Sequence, residues 1–475
     1  MKIKILTSIL LIILFQTNIS FSQESWSLER CISYALDKNI TIKQMDLYRQ
    51  GYEANKLQSI LNLLPTLNAS GAYSASYGRA LDQTTYQFTS NQKVGSLNAS
   101  LSSNLVVFNG LQKINTIRQN EYNLLAGLKD LEKLRNDISL NVAAAYLQIL
   151  FNQELVQIAK NQVGVTQLQV DRTGKLVEAG SLPNGNLLEI QSQQASEELQ
   201  LINYQNSLDI SYLTLSQILE LDSVGTFKIQ IPDFSKVGEE DILTSVNQIY
   251  QDALLNLPQV KSSEYKLKSA EMGLAISRGA SSPRIFLSGS YGSGYSDIRK
   301  QTTGLVPTEE AIGYTKGASP ETVYATYPVP TLAEYPLKMQ MKDNASTTIT
   351  VGASIPIFNG WMIRTNISNS RINVLNSKYT LDITKKNLYK DIQQAFADAI
   401  AALKKYRSTE KALAAINQSY KYTEQKFEVG LVNTVDYYTA KNQLAKTQSD
   451  LLQAKYDYIF RSRILDFYRG KPLKL

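Results

Sequence analysis

Residues 97–110 read Leu97-Asn98-Ala99-Ser100-Leu101-Ser102-Ser103-Asn104-Leu105-Val106-Val107-Phe108-Asn109-Gly110. The odd positions up to 107 carry Leu97, Ala99, Leu101, Ser103, Leu105 and Val107, and the even ones Asn98, Ser100, Ser102 and Asn104. A period of two, apolar on one side and small and uncharged on the other, describes a β-strand lying between two different media. Phe108-Asn109-Gly110 supplies the turn that ends it. Upstream, Leu67, Ala69, Gly71, Tyr73, Ala75 and Tyr77 alternate with Asn68, Ser70, Ala72, Ser74 and Ser76. Later, Ile285, Leu287, Tyr291 and Tyr295, then Ile349, Val351, Ala353, Ile355 and Ile357, repeat the pattern. The spacing predicts four strands, at about 67–78, 95–108, 285–296 and 347–358, with Pro356 at a rim because it cannot donate to a ladder. Alternating segments of this length mark a membrane β-barrel. A soluble half-buried sheet shares the period, but a face dominated by Ser and Asn, together with the export signal below, favours the barrel.

Outward from these strands the chain proves to be duplicated. Residues 28–67 align with 246–285 at an offset of 218, bringing Ala35-Leu36 onto Ala253-Leu254, Pro65 onto Pro283, Ser70-Gly71 onto Ser288-Gly289 and Tyr73 onto Tyr291. Further on, Phe108-Asn109-Gly110 meets Phe358-Asn359-Gly360 at an offset of 250, as do Glu178 and Gly180 with Glu428 and Gly430. The difference, 250 − 218 = 32, is one insertion in the second copy. Two copies of this length are not a solenoid; they are two halves of one subunit, 23–222 and 246–468, joined by a linker at 223–245 and followed by a tail at 469–475. Each half runs helix, strand, strand, very long helix, turn, helix. No Pro lies between Leu111 and Lys175, and neither Pro nor Gly between Trp361 and Val429. Helices over 111–175 and 361–429 would each be on the order of 100 Å long. Leu124, Leu128, Leu131, Ile138, Val142, Ala145, Ile149, Val156, Ala159 and Val163 give the first a coiled-coil seam. Shorter helices are expected at about 27–64, 184–218, 246–282 and 434–468.

The composition excludes much chemistry. The 475 residues include no His and one Cys, which removes His-based triads, His-ligated metals, thiolate clusters and disulfides. We expect no catalytic residue, no metal site, no cofactor and no enzymatic activity. Cys31 is expected to be a small buried hydrophobe on a helix. Gly289-Ser290-Tyr291-Gly292-Ser293-Gly294 lies inside a strand and opens no helix, so it is no phosphate loop. Glu197-Glu198 and Glu239-Glu240 are expected as solvated surface charges. The basic residues are dispersed, so no nucleic-acid partner is expected. Residues 1–22 read as a secretory signal peptide: Lys2 and Lys4, an apolar core from Ile5 to Phe15, and Ser20-Phe21-Ser22 as a cleavage site. Its loss takes the formal charge from +7 to +5. No apolar run of the remaining chain is long enough for a transmembrane helix, so an exported chain of this kind is soluble or crosses a membrane as a barrel.

Four strands cannot close a barrel, since the smallest have eight. Two copies would give eight strands, whose interior is normally filled by side chains, whereas this polar face is Ser, Asn, Thr, Gly and Ala. Small inward residues favour twelve or more strands around an open lumen. With the strand connections 79–94 and 297–346 at one end, the helical turns at 176–184 and 427–434 lie at the other. The insertion within 297–346 is expected to be a long external loop rich in Pro and Tyr.

The chain resembles the TolC family of outer-membrane efflux proteins (outer membrane factors). The resemblance is carried by Leu61-Leu63-Leu64-Pro65, by Ile355-Pro356-Ile357-Phe358-Asn359-Gly360, and by the turns Val177-Glu178-Ala179-Gly180 and Phe427-Glu428-Val429-Gly430. It implies a mostly α chain with a transmembrane β-barrel contribution. Four strands per chain would complete a 12-stranded barrel in a homotrimer seated in outer-membrane lipid, continuing into a long periplasmic α-helical tunnel. It also implies a periplasmic adaptor (a membrane fusion protein), an inner-membrane pump of RND or ABC type, and a role as passive exit duct in efflux or type I secretion from a Gram-negative cell. Residues 219–245 and the C-terminal segment would form a belt around the tunnel. An exported coiled-coil structural protein or adhesin is the alternative, and it has no use for a lipid-facing band in both copies. No His and only six Met argue against dedicated metal export.

The resemblance also places site residues. At the periplasmic constriction Asp436 matches an aspartate of the family, and Asn186 stands at its duplicated place. Phe427 replaces a Tyr, Val432 an Arg and Thr439 a second aspartate, so closure is expected to rest on packing of Phe427, Tyr437 and Tyr438. Three Asp436 carboxylates in a ring would repel one another and attract cations. Ala179-Gly180-Ser181 and Val429-Gly430-Leu431 would dock the adaptor. Tyr73, Tyr77, Tyr291 and Tyr295 would form one membrane girdle, and Phe108 and Phe358 the other.

Overall fold

The computed structural model describes residues 25–81, 88–221, 227–232 and 245–471. The expected signal peptide, Glu239-Glu240, and most of the linker and tail lie outside the described residues. In chain order the elements are β1 (Ser25–Trp26), α1 (Leu28–Lys38), α2 (Ile40–Leu61), β2 (Thr66–Leu81), β3 (Phe88–Asn109), α3 (Gln112–Glu178), α4 (Asn184–Ile218) and β4 (Lys228–Ile229). Then follow α5 (Val246–Asn256), α6 (Pro258–Gly279), β5 (Arg284–Ser296), β6 (Lys300–Tyr314), β7 (Thr322–Glu334), α7 (Leu337–Asp343), β8 (Ser346–Ser354), α8 (Met362–Glu428) and α9 (Thr434–Tyr468). None of the described helices is long and apolar enough to cross a membrane. They fall into two compact units, one of helices and one built mainly around strands.

The helical unit comprises the chain up to Glu53, Tyr122–Lys268 and Leu375 onward. Its packing repeats the duplication seen in the sequence. One core gathers Cys31, Ala35 and Ile42 with Leu131, Ile138, Val142, Ile149 and Leu215. A second gathers Ile249, Ala253 and Val260 with Leu381, Leu388, Ile392, Ala399 and Leu465. Every residue of the second set stands 218 or 250 positions after one of the first, so the two halves bury equivalent side chains. In the first core the Tyr146 hydroxyl lies between the carbonyls of Trp26 and Gln230, at 3.0 and 2.5 Å, where β1 and β4 pair in parallel.

Two helix boundaries correct the sequence reading. The segments 27–64 and 246–282 are each two helices, broken at Asn39 and at Leu257-Pro258. Asn39 leaves helical geometry and its Oδ1 accepts from the amides of Thr41 and Ile42 at 3.0 and 3.4 Å, capping α2. Pro258 has no amide hydrogen and so opens α6 rather than continuing α5. These breaks occupy equivalent places, 39 + 218 = 257.

The second unit comprises Ala54–Glu121 and Ser269–Val374. Its main sheet is antiparallel, in the order β2-β3-β5-β8. The register keeps parity, so Ala69, Leu101, Tyr291 and Thr347 form one row, and Asn68, Ser102, Ser290 and Thr348 the next, on the opposite face. A bulge between Val106 and Phe108 shifts that parity and puts Phe108 opposite Ile285, on the apolar face. β8 stops at Ser354 instead of 358, as expected where Pro356 offers no donor. The chain re-enters its long helices through consecutive left-handed residues, Gly110-Leu111 and Gly360-Trp361. Gly110 is required there, since an added Cβ would fall 2.3 Å from the Gly279 carbonyl oxygen.

The insertion within 297–346 is not an irregular loop. It is an antiparallel hairpin, β6–β7, followed by α7. Fully buried Gln340 fixes its base: its side-chain amide accepts from the Ser296 amide at 3.0 Å and donates to the Ser296 carbonyl at 2.9 Å. Asn344 donates to the Gly294 carbonyl at 2.6 Å. These amides stand where β8, which pairs with β5 only as far as Gly292, leaves β5 unpaired.

Candidate functional site

In the strand-built unit the candidate surface is the even-numbered face of the main sheet. Rows Ser70–Ser100–Gly292–Ser346, Ala72–Asn98–Gly294 and Ser74–Ser96–Ser296 carry no charge and no large side chain. Ser70 and Ser100 share a 2.8 Å hydrogen bond, Ser74 and Ser96 one of 2.7 Å. The pattern breaks at the lower end, where Val106 faces Phe286 and Arg284 faces Ser354; Phe286 lies over Gly352, whose missing Cβ makes room for it. The opposite face is apolar and exposed, with Leu67, Tyr73, Tyr77, Leu101, Tyr291, Ile349 and Val351. Tyr73 and Tyr295 flank Leu97 in one row, while Tyr77 sits two rows further along the same face, opposite Lys93. Tyr295 is half-buried. Phe358, predicted as a strand residue, lies past the end of β8 and is exposed, because Pro356 ends the ladder first. The outer edges of β2 and β8 pair with no other described strand.

In the helical unit the candidate site is the pair of turns that join α3 to α4 and α8 to α9. The two turns are built alike. Gly180 and Gly430 adopt φ of +72° and +78°. The next amide, of Ser181 or Leu431, reaches back to the carbonyl of Leu176 or Lys426 at 2.9 and 2.8 Å, closing the helix end. Ala179, Ser181, Val429 and Leu431 are exposed. The restarts differ. Asn433 caps α9 by accepting from the Asp436 amide at 2.8 Å, whereas α4 begins after Pro183 without a side-chain cap. Asp436 is exposed in the first turn of α9, favourably placed for the helix dipole. Asn186 is half-buried, and its amide donates to the Pro183 carbonyl.

Behind these turns the predicted aromatic residues do meet. Phe427 stacks on Tyr437 with centroids 4.4 Å apart and planes 13° from parallel, and Tyr438 meets Tyr437 edge-on at 5.2 Å. Tyr437 is 1% exposed. Sequence reasoning missed Tyr420, whose hydroxyl lies 3.1 Å from that of Tyr437 and donates to Glu424 at 2.8 Å. Its spacing of seven from Phe427 was the available signal. Ile190 and Val170 complete the cluster. Burial raises the Tyr420, Tyr437 and Tyr438 phenols above their ordinary range.

Glu197 corrects a prediction outright: it is buried, not solvated. Lys441 of α9 lies 3.1 Å from its carboxylate, and the two are 5% and 7% exposed. The Lys441 ammonium also contacts Thr166 Oγ1 and the Gln162 carbonyl of α3. Gln193 donates to Glu197 at 3.0 Å. Burial pulls the Lys441 ammonium below its usual value, and Glu197 pushes it back. No local pattern announces the pair, whose members stand 244 positions apart. Glu198 is exposed as predicted.

Comparison with known proteins agrees with the resemblance drawn from the sequence. The outer membrane efflux protein BepC of Brucella suis is 20% identical over 397 residues, 83% of this chain and 75% of BepC. The outer membrane protein TolC of Escherichia coli is 20% identical over 339 residues, 70% of this chain and 62% of TolC. The crystal structure of the outer membrane protein VceC from Vibrio cholerae superposes with a TM-score of 0.72 at 15% identity, over 94% of this chain and 97% of VceC. The family model described as outer membrane efflux protein matches residues 31–220 and 249–470, two blocks that coincide with the duplicated halves. The chain belongs to the outer membrane efflux protein family.

Proposed function

We propose that this outer-membrane protein is one third of a passive exit duct. Three copies join β8 of one to β2 of the next, closing a 12-stranded barrel around the Ser/Asn/Gly face and setting the apolar face against lipid. Tyr73, Tyr77, Tyr291 and Tyr295 form one interfacial girdle, with Phe108 and Phe358 at the other end. The observation that carries the reading is the main sheet itself: two long unpaired edges, with apolar and uncharged polar side chains kept to opposite faces. The long helices continue the duct through the periplasm. At their turns Ala179-Gly180-Ser181 and Val429-Gly430-Leu431 receive a periplasmic adaptor that couples the duct to an inner-membrane pump, of RND or ABC type. The turns are also its narrow end, held by Phe427, Tyr437 and Tyr438 and ringed by three copies of Asp436, with Asn186 in the first half. Purified protein in a planar bilayer is expected to conduct ions and to be blocked by multivalent cations, with Asp436→Asn weakening the block. Absence of conductance under any condition overturns the duct, and unchanged block in Asp436→Asn removes that residue from the constriction.

A further inference from the structure

In the helical unit, α3, α8 and α9 border a cleft of about 520 Å³. It follows α3 from Glu154 to Val165 and α9 from Lys441 to Leu452, a length of about 17 Å at the helical rise per residue. Its walls are largely aliphatic, with Ile158 and Val165 of α3, Leu413 of α8, and Leu444, Leu451 and Leu452 of α9. Val165 is 41% exposed and the other five are half-buried. The chain therefore leaves this apolar surface partly open to water instead of closing on it.

The two charged residues that line the cleft are in different states. Lys441 is already neutralised, with the Glu197 carboxylate 3.1 Å from its ammonium. Glu154, at the other end, has no such partner. The Tyr456 hydroxyl donates to its Oε1, and among the described residues Glu154 makes no ion pair and accepts no second side-chain hydrogen bond. Its Oε2 is left for an occupant. The acid is also particular to the first half, since its duplicated place, 154 + 250 = 404, carries Lys404.

Such a cleft selects on two counts. Aliphatic walls reward an apolar body in proportion to the area it withdraws from water. A half-buried carboxylate without a countercharge rewards a cation, and more strongly than in open water because the surrounding side chains are less polarisable than the solvent they replace. A small hydrated cation gains nothing from the leucines and must shed water to enter. An organic anion meets a carboxylate and finds the ammonium engaged.

We propose that this cleft binds lipophilic organic cations, the apolar body lying along Ile158, Leu444, Leu451 and Leu452 and the charge at Glu154. The site is complete within one chain and does not depend on the reading of the protein as a duct. The test is titration calorimetry of the full-length protein in a non-ionic detergent, read above partition into empty micelles. The probes are tetraphenylphosphonium and tetraphenylborate, ions of one shape and opposite charge. Tetraphenylphosphonium is expected to bind saturably, one per chain, and tetraphenylborate roughly tenfold more weakly or less. Glu154→Gln keeps the size of the cleft and is expected to weaken tetraphenylphosphonium about tenfold, erasing the preference between the two ions. Should that variant lose its fold with the Tyr456 contact, Val165→Trp serves instead. It fills the cleft from an exposed position and is expected to weaken tetraphenylphosphonium while leaving the thermal midpoint of the free protein in place. Equal binding of the two ions by the wild type overturns the site. So does tetraphenylphosphonium uptake no greater than that of empty micelles, or affinity unchanged in the variants.

Discussion

At the scale of single residues, burial sets the chemistry. Cys31 is 0% exposed on α1, and burial pushes its thiol up from an ordinary 9.0 to about 12. Between those values the unfolded chain loses the proton and the folded chain keeps it, so folding stability falls as pH rises through that window. Denaturant midpoints in detergent taken at pH 8 and at pH 10.5 are expected to drop less in Cys31→Ala than in the wild type. A residual slope remains from Tyr146, which burial also raises. Equal drops would show that Cys31 ionises as freely in the folded chain as in the unfolded one. The thiol is also expected to resist maleimide until the protein unfolds. The burial of Cys31 was legible because helical spacing from Leu28 to Ala35 put it on the apolar side. That of Glu197 was not: a lone acid in a polar helix looks solvated until a lysine 244 positions away is brought against it.

At the scale of elements, local chemistry gave α4 and α9 to the residue and the long helices to within three. Pro258 and Asn39, both visible in the sequence, were overrun by an apolar periodicity that continues through them, since α1 and α2, like α5 and α6, pack into one core. The β6–β7 hairpin escaped notice because its prolines, Pro307 opposite Pro328 and Pro330 opposite Leu305, are residues that argue against a strand in the middle of a sheet but are tolerated in a ribbon with two free edges. The aromatic cluster behind the turns was legible in membership but not in cohesion. Tyr437→Phe keeps the stack on Phe427 and loses only the contact with Tyr420, an expected cost of about 1 kcal/mol. Tyr437→Ala empties the cluster at about 3–5 kcal/mol. Because the loss is confined to one end of the hairpins, it is expected to appear as faster proteolysis within 427–434 rather than as global unfolding. Cleavage no faster than in the wild type would show that Tyr437 does not hold the turn.

At the scale of the whole molecule, the proposed duct depends on which face of one sheet meets lipid, and neighbouring residues of a central strand decide it. Leu101 and Ser102 follow one another in β3. Leu101 shares its row with Tyr291, and Ser102 shares its own with Asn68, Ser290 and Thr348. Both are exposed in the single chain, so burial within one copy cannot separate them; only the proposed barrel, once closed, would. In the proposed trimer, Leu101→Lys would place an ammonium in hydrocarbon between the two proposed girdles, at a cost of about 2–4 kcal/mol per chain near the midplane. Three such charges per barrel are expected to abolish insertion into the outer membrane. Ser102→Lys points the same charge into water and is expected to insert and assemble normally. It differs from the wild type in selectivity, because a ring of three ammonium groups favours anions, read as a shift of reversal potential in a salt gradient. Outer-membrane fractionation of the two variants separates the possibilities. Loss of both would mean that the even face is packed rather than open, as in a barrel filled by its own side chains. Retention of both would mean that the odd face meets no lipid, and the alternation that begins at Leu97 would then describe a sheet bathed in water on both sides.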